Sequence, residues 1–218
     1  LSQNSKTEIR RKLIGYIFQN NQLLEDFNVL ENEFDVLLCM GGNLLSAMSD
    51  TKATAEAISN IGLTVQISTK LNRSHLVTGK RALILPCLGR TEIDEQETGN
   101  QFVSVENSMG IVHSSTGGLR PASKLLKSEV AITCSLGNAL FGSSPINWSS
   151  FTKNYDSIRD SIQRVIPGFD DYNIRVREEG GFYLPNGPRD GPTWKTPSGS
   201  AEFISSELST IDNSEGYV

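Results

Sequence analysis

A run of apolar residues that ends abruptly at two glycines constrains this chain more than any other feature. Phe34-Asp35-Val36-Leu37-Leu38-Cys39-Met40 leads directly into Gly41-Gly42. A stretch with almost no polar alternation is what a strand buried on both sheet faces requires. Ser49 or Asp50 then offers a cap for a helix through Asn60, where Ala53, Ala57, Ile58 and Ile61 form one apolar stripe, and Gly62 ends it. A second strand is predicted over residues 63–68. Strand, glycine turn, helix and strand make a βαβ unit, which favours a parallel sheet with right-handed crossovers. The expected fold class is therefore α/β, a three-layer Rossmann-like domain around a mainly parallel sheet.

Other elements are read around that unit. Ile9, Leu13, Ile17 and Leu24 predict a helix over residues 7–27. Ala82-Leu83-Ile84-Leu85 predicts another buried strand, closed by Pro86. Residues 90–118, rich in Glu, Asp, Ser, Thr and Gly, read as a long surface loop carrying one short strand at Phe102-Val103-Ser104-Val105. Helices are predicted over residues 123–140 and 150–165, the latter with its apolar stripe inward. From Gly168 onward glycine and proline multiply, Ala201-Glu202-Phe203-Ile204 reads as a short strand, and residues 209–218 as a frayed end. The domain organisation expected is an α/β domain over residues 1–166 and an irregular extension over 167–218.

Composition sets limits on function. With 20 Lys and Arg against 25 Asp and Glu, a formal net charge of −5 and no basic run, the chain lacks the clustered cations that grip a phosphate backbone, so no nucleic-acid partner is expected. Cys39, Cys87 and Cys134 are far apart, each in an apolar stretch, which reads as buried, inert thiols in a reducing, cytoplasmic compartment. Two histidines are too few for a His-based metal cluster. No apolar run is long enough to span a bilayer, and Leu1-Ser2-Gln3-Asn4-Ser5 has no signal-peptide pattern. The missing initiator Met suggests processing, or a chain trimmed from something longer.

The chemistry worth weighing lies at strand ends. In open α/β sheets, ligands bind beyond the carboxyl ends of the strands, where glycines let them approach the backbone. Gly41-Gly42-Asn43 occupies one such end, and Asn43 can both donate and accept hydrogen bonds. The spacing is not G-x-G-x-x-G, and such a turn is also a common structural device. Ser68-Thr69-Lys70 and Asn72-Arg73-Ser74-His75 follow the next strand and bring hydroxyl, amide and cationic groups suited to a nucleoside diphosphate; the plainer reading is a solvated polar loop. Glu92, Asp94, Glu95 and Glu97 read as loop carboxylates rather than an acid/base pair, and no G-x-S-x-G elbow accompanies the serines.

These stretches together resemble a known family. Gly41-Gly42-Asn43-Leu44-Leu45, Ser49-Asp50, Ser68-Thr69-Lys70 and Leu83-Ile84-Leu85-Pro86 resemble the molybdopterin oxidoreductase superfamily, whose members hold two molybdopterin guanine dinucleotides. Leu85-Pro86-Cys87-Leu88-Gly89-Arg90-Thr91-Glu92-Ile93-Asp94, Ser104-Val105-Glu106-Asn107-Ser108-Met109 and Phe182-Tyr183-Leu184-Pro185-Asn186-Gly187-Pro188-Arg189 are similar to its formate-dehydrogenase-alpha-chain-like subgroup. Thr196-Pro197-Ser198-Gly199-Ser200-Ala201-Glu202-Phe203 is similar to the segment before the family's C-terminal barrel.

The resemblance implies a cofactor-binding segment of a larger molybdenum enzyme. It implies Gly41, Gly42 and Asn43 at the phosphate and ribose of one molybdopterin guanine dinucleotide, and Ser68 and Thr69 at the guanine or ribose edge. Lys70, Asn72, Arg73 and His75 are further candidates. The chain departs from the family pattern at Gly42 and Leu44, where many members have Glu and Pro, near Thr69, where many have an acidic residue, and at Lys80-Arg81, which replaces Ala-Asp. The metal-ligating residue, any iron–sulfur motif and the barrel lie outside the matching stretch. The implied partners are the remaining domains of the parent enzyme and its small-molecule substrate, and the segment alone is expected to be inactive. The alternatives are a freestanding nucleotide-binding module, or a non-catalytic interaction module that uses residues 90–118 as its partner surface.

Overall fold

A computed structural model describes residues 35–142 and 145–205, together with the backbone of Ile14–Ile17. Four strands form a parallel sheet in the order β1 (Ile14–Ile17), β2 (Val36–Met40), β3 (Leu63–Ser68) and β4 (Arg81–Pro86). Between β2 and β3 run a short helix α1 (Leu44–Ala47) and α2 (Thr51–Asn60). Asp50 caps α2 by accepting the Ala53 N–H at 2.8 Å. The crossover covers one sheet face, where Leu37 and Cys39 pack with Leu44, Ile58 and Ile61. On the opposite face Leu38, Val65, Ile67 and Cys87 gather, and Ile132 of a later helix packs against them. Helices thus meet both faces of a parallel sheet, the expected α/β class.

Residues 94–115 form the antiparallel part of the chain. β5 (Asp94–Gln96) and β6 (Gly99–Gln101) make a hairpin, while β7 (Val103–Glu106) and β8 (Ile111–Ser115) make another that β9 (Phe182–Tyr183) joins. Helices α3 (Glu129–Phe141), α4 (Trp148–Lys153), α5 (Asp156–Val165), α6 (Tyr172–Arg175) and α7 (Gly187–Asp190) complete it. Val112, Tyr172, Val176 and Phe182 close a second core.

Several expectations are corrected. Residues 14–17 of the predicted 7–27 helix are strand, zipped in parallel to the edge of β2, and the rest of that helix lies outside the described residues. β4 forms as expected but is exposed along its whole length rather than buried. The supposed loop at 90–118 contains four strands: the one expected at 102–105 forms as β7, whereas β5, β6 and β8 were not expected. The 123–140 helix starts only at Glu129, because Lys127 bridges to Cys87 and accepts the Leu88 N–H at 3.0 Å, and Ser128 caps the helix. The 150–165 helix is broken at Asn154-Tyr155. There the Tyr155 N–H donates to Gln101 Oε1 (2.9 Å), so a tertiary anchor overrides the helical period. Residues 201–205 are not strand, and the frayed end expected beyond 209 lies outside the described residues.

Buried thiols are found as expected. Cys39, Cys87 and Cys134 are free and buried, and burial pushes the Cys39 and Cys87 thiols up to about 11.

Candidate functional site at the strand tips

Parallel pairing puts the carboxyl ends of β2 and β3 side by side. Met40 lies opposite Ile67, and the Gly41 N–H donates to the Ile67 carbonyl at 2.8 Å. Gly41 turns there with φ of 69°, a left-handed conformation that glycine adopts without strain. Its neighbour Gly42 faces open space: a carbon added as Cβ would meet no atom within 4 Å.

A hydrogen-bond network pins the two turns to each other. Ser74, fully buried, donates through Oγ to Asn43 Oδ1 (2.8 Å) and accepts the Leu45 N–H (2.9 Å). Asn72 Nδ2 donates to the Gly42 carbonyl at 3.1 Å, and its Oδ1 accepts the Ser74 N–H at 2.9 Å. His75 Nδ1 accepts the Asn72 N–H at 3.0 Å, while Nε2 sits 3.1 Å from Ser68 Oγ. Buried polar groups satisfied in this way fix a geometry.

The predicted residues therefore separate by direction. Gly41, Thr69, Lys70 and Arg73 are exposed, and Gly42, Asn43 and Asn72 are half-buried. Ser68 and His75 are buried and bonded to each other, behind the surface rather than on it. The structure brings the Gly41–Asn43 turn and the Asn72–His75 turn into direct contact.

Two features were missed in the sequence reading. Nothing in the run Asn72-Arg73-Ser74-His75 sets Ser74 apart from its neighbours, although it holds both turns; an Asn two residues ahead of a Ser, the start of a local side-chain turn, is the available signal. The second is the tip of β4, where an added Cβ at Gly89 would come 3.9 Å from Thr69 Cγ2, so Gly89-Arg90 extends the same edge. A glycine soon after a strand was the signal there, as at Gly41. Glu92 brackets this turn, accepting the Gly89 N–H and the Ala122 N–H at 2.7 Å each, which holds its carboxyl below the usual range. Glu92 is therefore a structural clamp rather than a solvated loop carboxylate.

Beside that turn is a small cavity of about 100 Å³ lined by Arg90, Asp94, Ser128, Glu129 and Tyr155. The Tyr155 hydroxyl bonds both the Asp94 carboxylate and Ser128 Oγ, the latter at 2.7 Å. Burial, and then the Asp94 bond, raise the Tyr155 phenol; burial raises Glu129, against the pull of Arg90. Asp94, like Glu92, is thus engaged within the fold.

A parallel sheet whose adjoining strand ends carry glycine turns and outward polar groups belongs to the α/β class that takes ligands at its carboxyl edge. No protein-family model matches the chain. Similarity is found to curated proteins: the chain is 50% identical over 182 residues to Uncharacterized oxidoreductase Rv2900c of Mycobacterium tuberculosis and to its counterpart Mb2924c of Mycobacterium bovis. It is 45% identical over 181 residues to Protein YdeP of Escherichia coli K12. Each match covers 83% of this chain but only 23% of the mycobacterial proteins and 24% of YdeP. The chain thus spans about a quarter of the length of these relatives, two of which are named oxidoreductases. Among the described residues, no helix is long and apolar enough to cross a membrane.

Proposed function

We propose that this chain is the part of a larger molybdenum-dependent oxidoreductase, of the formate-dehydrogenase alpha-chain type, that anchors the guanine dinucleotide end of one molybdopterin cofactor. The observation that carries the reading is the open, side-chain-free turn at Gly41-Gly42 lying against the β3 tip. The names of the mycobacterial relatives support its oxidoreductase part, and the sequence resemblance is what suggests the molybdenum cofactor.

The residues present fit a nucleoside diphosphate. Without a Cβ at Gly41 or Gly42, a phosphate can come close to the peptide groups. Lys70 and Arg73 are exposed cations able to pair with phosphate oxygens, and Thr69 offers an outward hydroxyl. Asn43 spends its Oδ1 on Ser74 and keeps its amide nitrogen for a ligand. Ser68 and His75 act as supports, setting the β3 tip from behind. When bound, the cofactor supplies two-electron redox chemistry at its metal; this chain's share is to bind and orient its nucleotide tail.

Gly42→Leu tests this directly, because a Cβ added at Gly42 meets no protein atom within 4 Å, so the new side chain would extend into the open space a ligand needs. In the full-length gene product, molybdenum by metal analysis and GMP released on acid hydrolysis are expected to fall at least about tenfold, equivalent to roughly 1.4 kcal/mol. Circular dichroism should be unchanged. Full retention of both would reject the site.

A further inference from the structure

Beyond Arg81, β4 is built of apolar residues, yet among the described residues it has no cover. All six of its residues are exposed; Leu83 is 50%, Ile84 45% and Leu85 37% accessible. The register sets Leu83 and Leu85 beside Val65 and Ile67 on one face, and Ile84 beside Gln66 on the other. Parallel strands are ordinarily covered on both faces, and an apolar edge with free peptide groups is a template for another strand.

The backbone shows which groups are free. The Arg81 and Cys87 N–H groups donate inward, to the Gly62 and Ser68 carbonyls at 3.1 and 3.2 Å, whereas the Leu88 N–H donates outward to Lys127. Successive residues of a strand aim their peptide groups to opposite sides. Ala82 and Ile84 therefore point both N–H and C=O away from β3, and Pro86, which has no N–H to lose, sits at the third outward position. A proline on the outward side is compatible with an edge. Lys127 already lies parallel to Cys87 in this outer lane, so the lane is begun at the strand tip and, among the described residues, is open along Ala82 to Leu85.

We infer that β4 receives a fifth strand from a part of the same polypeptide outside these 218 residues, with apolar side chains that cover Leu83, Ile84 and Leu85. The occupant is assigned to the parent chain because the relatives extend over about four times the matched length. The docked strand would complete the sheet whose tips carry the proposed cofactor site. This inference rests on the reading of the chain as a segment of a longer protein, and is independent of which cofactor that protein holds.

The test uses the full-length gene product. Hydrogen exchange read by mass spectrometry should show the Ala82 and Ile84 amides slowed by at least about 100-fold relative to an unstructured amide. Ile84→p-benzoylphenylalanine, irradiated in the same protein, should cross-link within one polypeptide to a peptide beyond this chain. Free exchange at both amides overturns the inference, as does a cross-link to a second copy or back to residues 1–34 or 206–218. Molybdenum content measured on the same sample reports on the cofactor reading separately: a metal-free protein with protected amides keeps the strand and loses the cofactor.

Discussion

Ser74 shows how much can depend on one hydroxyl. Its Oγ is the shared partner of Leu45 N–H and Asn43 Oδ1, and removing it leaves two polar groups with no replacement partner, one of them in a buried bond. Each unsatisfied buried group costs about 1–3 kcal/mol. Ser74→Ala is therefore expected to destabilise the chain by about 2 kcal/mol in urea denaturation, while Thr69→Ala, at an exposed position, stays within about 0.5 kcal/mol. Equal effects of the two would mean that the network carries no weight. The contrast separates residues that hold the turns from residues that face outward, a distinction no spacing rule contains.

Among elements, α3 and α4 meet in close contact. A Cβ added at Gly137 would sit 2.7 Å from the Trp148 ring, so this helical glycine is set by close packing. Alanine is worth about 1 kcal/mol more than glycine inside a helix, but overpacking costs about 1–3 kcal/mol. Gly137→Ala is expected to lower stability on balance and to alter the near-ultraviolet dichroism of Trp148; a stabilised variant with an unchanged spectrum would contradict this packing. The βαβ unit was legible in the sequence because its strands are continuous apolar runs and its helix carries both a cap and a stripe. Other elements were not, because tertiary contacts decide them: Lys127 is drawn to Cys87, Tyr155 to Gln101, and Phe182 pairs with the distant Val112. At the strand tips, sequence located the turns but could not tell the inward Ser68 and His75 from the outward Thr69, Lys70 and Arg73.

At the scale of the molecule, Glu92 joins segments that lie some 30 residues apart in the chain. Its carboxylate ties the β4 tip to Ala122. The Gly89 and then the Ala122 N–H groups hold its pKa below the ordinary value of 4.5, so the stabilisation is fully present above that pH. It is lost as pH falls below 4.5 and through the lowered folded value. In Glu92→Gln an amide nitrogen must face one of the two N–H donors. The difference in urea midpoint between the native chain and this variant is thus expected to be large at pH 7 and to close toward pH 3; a gap that does not change with acid would show that the bracket is uncharged in effect. Pro86 has a consequence of another kind. Because the outer lane offers no N–H at that position, any guest strand running past Pro86 would leave one of its carbonyls without a partner, so the proline marks the natural end of the lane, just where Lys127 takes it up.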